Sequence, residues 1–260
     1  MFIKKMLTVQ LKGGLANQLW QVAAGETIAA QTGRTLVFPT RTSAPNPHSP
    51  TNYFTTVLAP WAQGEALGPA VGVQEGSYHY VDWSALRAVP TSVVLDGYFQ
   101  HWRYIPDDFG TRLALPPAPA VGATTAFLHV RGGDYVSHWL HDVGLNKGSS
   151  YYARAAALFA EDTEFLVFTN DRAYAEEAPW LATLGPRVRW APASWTEEEC
   201  LAAMATCPRG GICPNSTFAW WGAWLGRRDG RVYVLPDRWF NDPGIYVEGY
   251  FFPGAVVLPV

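Results

Sequence analysis

The sequence predicts an α/β fold of two lobes, each built on a mostly parallel sheet. Short β-branched apolar runs alternate with segments of helical periodicity, which is typical of α/β layers. A Pro/Ala-rich stretch, residues 115–120, lies near the middle of the 260 residues and reads as a linker, giving lobes 1–115 and 121–260. Each lobe begins with a strand that runs into a glycine turn, and such sheets bind ligands at the carboxyl ends of their strands.

The individual elements follow from apolar spacing and from turn residues. Strands are expected at Leu7–Leu11, Thr35–Phe38, Ser92–Asp96, Ala126–Val130, Phe165–Thr169 and Val232–Leu235. Helices are expected at Gln18–Thr32, Ser150–Glu161, Glu197–Thr206 and Thr217–Leu225. Ser150 and Thr196 are suitable N-caps, and Gly33 suits the end of the first helix. The segment Ser43–Asn52 contains three prolines and is expected to be a surface loop.

Composition narrows the class of protein. A hydrophobic content of 48% with 16% charged residues is typical of a folded soluble protein, and the formal net charge of −3 argues against a nucleic-acid partner. The cysteines Cys200, Cys207 and Cys213 form no CxxC pair, so neither zinc nor a disulfide framework is expected. No run is long enough for a membrane span, and the run after Lys5 is too short and polar for a signal peptide. A cytoplasmic protein is therefore expected.

The segment Asn215–Leu225 carries the first candidate phosphate site. It places Asn-Ser-Thr directly before an apolar run of helical spacing, so Ser216 or Thr217 is a natural N-cap. The free backbone amides of the first turn beyond that cap would bind an anion. The alternative interpretation is a Trp-rich helix that belongs only to the core.

Arg131 carries the second candidate site, because it directly follows an expected buried strand. Its guanidinium remains charged and has the planar geometry suited to phosphate. The following Gly132-Gly133 would let the backbone approach an anion closely as an amide nest. A structural ion pair between Arg131 and Asp134 is the alternative.

Two further strand ends carry polar residues. The segment 13–18, Gly-Gly-Leu-Ala-Asn-Gln, matches neither GxGxxG nor a Lys-bearing P-loop, and an ordinary tight turn with Asn17 as helix cap is the alternative to a binding role. Asp171 follows the strand Phe165–Thr169 and could accept hydrogen bonds from a guanine edge, or could cap the next helix.

The sequence contains neither an Asp-x-Asp pair nor HExxH, so no metal is expected. A leaving diphosphate would be stabilised by Arg131, hydroxyls and helix-end amides.

Four motifs in order resemble the inverting α-1,2-fucosyltransferases of glycosyltransferase family 11. They are Gly13–Gln18, Gly97–Gln100, His129–Tyr135 and Asn215–Leu225, and the tail Val234–Phe240 is similar to the family's last strand and turn. The resemblance implies a GT-B-like fold of two Rossmann-like lobes whose parallel sheets face across a cleft. It also implies an N-terminal lobe on the acceptor side and a C-terminal lobe that binds GDP-fucose.

The activity implied is transfer of L-fucose, with inversion and without a metal or other cofactor, from GDP-β-L-fucose to a galactose hydroxyl in α-1,2 linkage. The partners would be GDP-fucose and a galactose-terminated oligosaccharide. The rival interpretations are another GDP-deoxyhexose donor or acceptor on the same fold, and a catalytically inactive GDP- or glycan-binding protein. A third rival is a purely structural protein.

The resemblance also implies roles for individual residues. The implied catalytic residues are Arg131 and Asp134, and the implied donor-binding residues are Gly14, Asn17, His129, Arg131, Asp171, Asn215, Ser216 and Thr217. Arg131 would hold the β-phosphate in a loop shaped by His129 and Asp134. Asp171 would recognise guanine. Ser216 and Thr217 would supply phosphate-binding hydroxyls, and Asn17 would reach the donor from the N-terminal lobe.

The sequence departs from the family pattern at two positions. Gly132 stands where a second arginine is usual, which predicts looser donor binding unless Arg172, Lys147 or Arg154 compensates. Ala16 stands where glycine is usual and would cost about 1 kcal/mol if that position needs a positive φ. No general base is evident; the candidates are Asp134, His138, Asp142 and Glu26. Loops such as Ser43–Phe54 and Trp61–Trp83 are expected to read the acceptor.

Overall fold

The structure is a computed structural model that describes residues 5–39, 52–61, 63–64, 67–145 and 148–260. The chain forms two compact units, one of Met1–Ala114 with Glu248–Tyr250 and the other of Leu115–Val247 with Phe251–Val260. Every strand pair in the described ranges is parallel. None of the helices in those ranges has the length and apolar character that a membrane crossing needs.

The first unit is built on a four-stranded sheet in the order β2-β1-β6-β5, with β3 and β4 forming a separate pair. Its strands are β1 (Met6–Val9), β2 (Thr35–Leu36), β3 (Phe38–Pro39), β4 (Gln63–Gly64), β5 (Ala70–Gln74) and β6 (Ser92–Asp96), and its helices are α1 (Leu15–Thr32) and α2 (Phe109–Arg112). Helix α1 packs on the sheet, and its Leu19 and Trp20 are fully buried, as are Leu7 of β1 and Val93 and Leu95 of β6.

The second unit is built on a six-stranded sheet in the order β12-β11-β10-β7-β8-β9. Its strands are β7 (Thr125–Val130), β8 (Glu164–Thr169), β9 (Val188–Trp190), β10 (Gly210–Ile212), β11 (Val232–Pro236) and β12 (Val256–Leu258). Its helices are α3 (Asp134–Ser137), α4 (Tyr151–Ala156), α5 (Arg172–Glu176), α6 (Pro179–Leu184), α7 (Glu197–Thr206) and α8 (Thr217–Gly226). All six residues of β7 are buried. The strand order reverses between β7 and β10, and ligands bind at such reversal points, outside the carboxyl ends of the strands.

Most of the expected elements are confirmed, and the differences have local causes. Strand Ser92–Asp96 and helix Glu197–Thr206 have the expected bounds, and Gly33 ends α1 in the left-handed region with φ 66°. Helix α1 begins at Leu15 rather than Gln18, because Gly14 is its N-cap. Helix α4 ends at Ala156, earlier than the expected Glu161. Residues 43–51 of the expected proline loop lie outside the described residues.

Several strands were not expected from the sequence. The expected strand 35–38 is divided into β2 and β3, and the additional strands are β4, β5, β9, β10 and β12. Strand β10 contains Gly210 and Gly211, which have low strand propensity. The neighbouring strand explains Gly211, because a Cβ at that position would lie 2.2 Å from the Phe127 ring of β7.

Gly210 provides a prediction about stability. Its φ is 93°, and a Cβ there would lie 2.0 Å from the carbonyl oxygen of Val232. We expect Gly210→Ala to lower the free energy of unfolding by at least about 3 kcal/mol, because strained backbone and a backbone clash add together. Gly230→Ala is the matched control, because Gly230 has φ 82° but a Cβ at that position would have no neighbouring atom within 4 Å. Urea unfolding of both variants measures the difference, and equal losses would show that the clash is relieved at little cost.

Candidate functional site

A cavity of about 420 Å³ lies in the second unit at the carboxyl ends of β7, β8 and β9. Its walls include His129 and Arg131 from the end of β7 and Trp190 from the end of β9. Trp195 and Glu197 contribute from the segment that enters α7. Since β8 lies between β7 and β9, Arg131 and Trp190 are separated by two strand spacings, about 10 Å.

Arg131 is held at the cavity by two neighbours. Its Nη2 donates to Asp134 Oδ1 at 2.9 Å, and its guanidinium carbon lies 4.6 Å from the centroid of the Tyr135 ring. The structural ion pair considered from the sequence is therefore present, but the Asp134 side chain is 67% exposed, and such pairs contribute only about 0–1 kcal/mol. The Arg131 Nε is buried and makes no hydrogen bond in this structure, which leaves a charged donor for a ligand oxygen.

The turn after Arg131 is organised by Asn170. The Gly132 amide donates to Asn170 Oδ1 at 2.9 Å, and Asn170 Nδ2 donates back to the Gly132 carbonyl at 3.3 Å. The Gly132 amide expected in an anion nest is therefore bonded to Asn170, while Gly133 adopts φ 62°. A Cβ on Gly132 would lie 2.8 Å from the Cβ of Asp171, so a second arginine at this position would require the turn at 170–171 to move. Asn170 was missed in the sequence, although it directly follows an expected strand.

His129 is a buried imidazole at the same strand end. It is 5% exposed, its Nδ1 makes no hydrogen bond in this structure, and its ring centroid lies 6.2 Å from that of Phe218 in α8. Burial, with the Arg131 charge as a second cause, lowers the pKa of His129 to about 3. The imidazole is therefore neutral at physiological pH and can exchange a hydrogen bond with a ligand at little electrostatic cost.

The lowered pKa of His129 predicts how stability depends on pH. The unfolded chain protonates this residue near the ordinary value of about 6.5, whereas the folded state does so only near a pKa of about 3. The stability contributed by the neutral form is complete above the unfolded pKa and is lost as the pH falls toward the folded pKa. We expect His129→Gln to reduce the loss of unfolding free energy between about pH 7 and about pH 4.5 by about 2–3 kcal/mol. Urea unfolding of the wild type and of His129→Gln at both pH values measures this difference, and equal losses in the two proteins would contradict the prediction.

Helix α8 follows β10, and Arg131 follows β7. Because β10 and β7 are neighbours in the sheet, the start of α8 lies beside Arg131. Ser216 is the buried N-cap, and its side chain makes no capping hydrogen bond; Thr217 is the first helical residue. Asn215 Nδ2 donates to the carbonyls of His141 and Trp239, each at 3.0 Å, so this amide holds two loops together. Asn215 and Arg131 also line one small neighbouring cavity. Farther along α8, Trp220 and Trp221 belong to the core, whereas Phe218 lines the cavity.

The two acidic residues near the cavity have different surroundings. Asp171 is the N-cap of α5, where Oδ1 accepts from the Tyr174 amide at 3.1 Å, which is the capping alternative considered from the sequence. Asn170 and Arg172 on either side of Asp171 line the cavity, and so does Glu197. Glu197 was missed because three consecutive glutamates at a helix start indicate only a helix N-terminus.

The donor-binding residues expected in the N-terminal lobe lie in the first unit. Gly14 is the extended N-cap of α1, and Gly13 before it has φ 79°. Asn17 lies inside the helix, where its Oδ1 accepts from Gln100 Nε2 at 2.8 Å. Ala16 is also helical and has no positive φ, so the conditional cost attached to alanine does not arise there.

The cationic residues expected to compensate for the missing arginine at position 132 lie in different places. Arg172 lines the cavity, with its guanidinium carbon 4.4 Å from the centroid of Trp190 and its Nε 2.8 Å from Glu176 Oε1. Arg154 instead donates to the carbonyl of Pro259. Lys147 lies outside the described residues.

The residues considered as general bases also differ in their surroundings. Both carboxylate oxygens of Glu26 accept from Arg112 at 2.6 Å, so this residue belongs to an ion pair in the first unit. The carbonyl of His138 accepts the amides of His141 and Asp142, which closes a turn. In the part of the chain that the structure describes, no group of three or more His, Cys, Asp or Glu residues could hold a metal ion.

Comparisons with known proteins place this geometry in context. No protein-family model matches the chain. The O-antigen biosynthesis glycosyltransferase WbnK of Escherichia coli is 31% identical over 130 residues, which cover 45% of this chain and only 40% of that protein's length. The crystal structure of the fucosyltransferase NodZ from Bradyrhizobium superposes with a TM-score of 0.50 at 15% identity, covering 86% of this chain and 94% of that one. The two parallel sheets and their helices therefore form a GT-B-like fold, similar to that of NodZ.

Proposed function

We propose that this chain is an inverting, metal-independent glycosyltransferase that moves L-fucose from GDP-β-L-fucose to a galactose hydroxyl of a glycan, in α-1,2 linkage. The second unit binds the donor, and the first unit receives the acceptor. One observation carries the proposal. A single cavity combines the buried donor of Arg131 with the carboxylate of Glu197 and with Trp190, which lies about two strand spacings from Arg131. A nucleoside diphosphate has the same arrangement of charge, sugar and base.

The proposed reaction is one in-line displacement at the anomeric carbon. The bond from that carbon to the β-phosphate oxygen breaks, a bond to the galactose oxygen forms, and GDP and a proton are released. Arg131 stabilises the charge that develops on the leaving diphosphate, and Asp134 positions Arg131 through their hydrogen bond. The Ser216 and Thr217 hydroxyls and the first amides of α8 assist at the phosphates.

The other end of the donor is assigned by chemistry. Guanine presents an N–H and an amino group on one edge, and a carboxylate accepts from both. Glu197 supplies that carboxylate in the cavity, whereas Asp171 caps α5. Trp190 and Trp195 provide faces on which the base can stack.

The comparisons support the proposal at different levels. The relative named for O-antigen biosynthesis supports glycosyl transfer, although its match covers only part of either protein. The fucosyl group, the galactose acceptor and the linkage rest on the four motifs that resemble family 11. Another GDP-deoxyhexose is the alternative donor.

Gly132 favours one further alternative, an inactive GDP- or glycan-binding protein. Gly132 stands where a second arginine is usual, and the side chain of Asp171 occupies the space that a side chain at position 132 would need. Reduced charge at the phosphates would weaken catalysis more than it weakens binding.

The test is incubation with GDP-fucose and an array of galactosides, followed by GDP release and product mass, with GDP affinity measured by calorimetry. Transfer to a galactoside with the mass of one fucose supports the proposal. GDP binding without turnover on any acceptor favours the inactive protein, and the absence of GDP binding contradicts both. A panel of GDP-sugars separates fucose from other deoxyhexoses.

A further inference from the structure

The first unit contains a second cavity, of about 320 Å³, at the carboxyl ends of β5 and β6. Its walls include Lys12, which follows β1, Glu75 directly after β5, Asp96 at the end of β6, and Tyr98 two residues later. The cavity thus occupies the edge of the first sheet at which parallel α/β sheets bind ligands.

Three of these side chains form one organised group. Lys12 Nζ lies 2.7 Å from Asp96 Oδ1 and 5.0 Å from the centroid of the Tyr98 ring. The Lys12 and Asp96 side chains remain 41% and 30% exposed. An ammonium, a carboxylate and an aromatic face are therefore held together while remaining accessible to a ligand.

The backbone that presents Tyr98 is held in a rare conformation. Phe99 has φ 52°, the one positive φ of a non-glycine residue in the described ranges, although its side chain is fully buried. Glu75 Oε2 accepts from the amides of Tyr98 and Phe99 at 2.8 and 2.9 Å. Gly97 is required because a Cβ there would lie 2.4 Å from the Cβ of Glu75. Backbone held in this way is concentrated at ligand sites.

The same turn is connected to Asn17. Gln100, which follows Phe99, donates from Nε2 to Asn17 Oδ1 at 2.8 Å and accepts at Oε1 from the Tyr250 hydroxyl at 2.6 Å. The turn therefore positions Tyr98 toward the cavity and Gln100 toward Asn17. A structural role alone explains Gln100, but it does not explain the accessible group of Lys12, Asp96 and Tyr98.

We propose that this cavity is a binding subsite for a neutral, hydroxyl-rich saccharide. The Tyr98 ring would pack on the C–H face of a sugar, while Lys12 donates to and Asp96 accepts from neighbouring hydroxyls. The two carboxylates outnumber the single ammonium, which disfavours an anion. Each carboxylate already has a donor, which disfavours a cation. The inference rests on the proposed function only in identifying this saccharide as the acceptor.

The first test uses Lys12→Met and Tyr98→Leu, with Lys5→Met as the matched control. Lys5 lies at the opposite end of β1, where its Nζ donates to the carbonyl of Val89. We expect the KM for lactose to rise about tenfold or more in both cavity variants, the effect of losing one charged hydrogen bond or one stacked ring. We expect GDP affinity, measured by calorimetry, to match that of the wild type. An unchanged KM for lactose in both variants would overturn the proposal.

The second test does not depend on turnover. Saturation-transfer NMR with lactose reports saccharide binding even if GDP-fucose is not the donor. Saturation transfer that is present in the wild type and in Lys5→Met but lost in Lys12→Met supports the subsite. Equal saturation transfer in all three proteins, or none in the wild type, overturns it. A parallel loss of GDP affinity in Lys12→Met would show a general folding effect and would also overturn it.

Discussion

Arg131→Met is expected to lower kcat/KM for GDP-fucose by about 10²- to 10³-fold, the size of effect found when one preorganised donor to a developing charge is removed. The leaving diphosphate would lose the charged donor at the end of β7, and with Gly132 as its neighbour the same turn offers no second arginine. The fold should remain intact, because the ion pair to Asp134 is largely exposed and contributes about 0–1 kcal/mol. The measurement is GDP release under steady state.

The matched control is Arg209→Met. Arg209 also forms an ion pair on the second unit, with its Nη2 3.0 Å from Asp162 Oδ2, but it does not line the cavity. We expect wild-type turnover from this variant. The turnover of Asp134→Asn should lie between those of Arg131→Met and Arg209→Met, because this substitution weakens the hold on Arg131 without removing the charge of Arg131. Near-normal turnover of Arg131→Met with unchanged GDP affinity would show that the phosphates bind elsewhere.

Glu197→Gln is expected to weaken GDP binding by about 10- to 100-fold while retaining or strengthening ADP binding, because an amide can pair with both the donor and the acceptor of adenine. A carboxylate accepts from both donors on the guanine edge, whereas an amide accepts from one and repels the other. Adenine offers one donor and one acceptor on the corresponding edge and gains nothing from the carboxylate. Competition calorimetry with the two nucleotides measures the ratio of their affinities.

Glu198→Gln is the control for this substitution. Glu198 occupies the same first turn of α7 and has the same interaction with the helix dipole, but it does not line the cavity. Both variants should therefore lose a similar, small amount of stability. If Asp171→Asn abolishes the preference for GDP and Glu197→Gln does not, Asp171 recognises the base and Glu197 does not.

Local interactions explain which elements could be predicted with correct bounds. Helix α7 begins where expected because Thr196 and Glu199 form a reciprocal capping box only three residues apart. Strand β10 could not be predicted, because its two glycines indicate a turn in sequence. They form a central strand because the neighbouring β7 and β11 leave no room for side chains there.

The residues of the candidate site also differ in whether the sequence alone could predict them. Arg131 could be identified because it directly follows an apolar strand, a relation visible along the chain. Asn170 could not be assigned its role, since its bond to Gly132 depends on β7 and β8 pairing with Val130 opposite Thr169. Glu197 likewise lines the cavity only because α7 packs against α8 and β10, which are distant from β7 in sequence. For Asp171, the capping interaction considered from the sequence is present as one hydrogen bond from the Tyr174 amide, and recognition of guanine stays a prediction.

By itself, the sequence determined what neighbours along the chain can decide: the capped helix starts, the glycine turns after the first strand of each unit, and the cation at a strand end. Only the tertiary structure decided the strand order, with its reversal between β7 and β10 that places Arg131 beside the start of α8. The physical reason is that parallel strands pair through long crossovers, so the partners of a strand end are distant in sequence and are selected by packing.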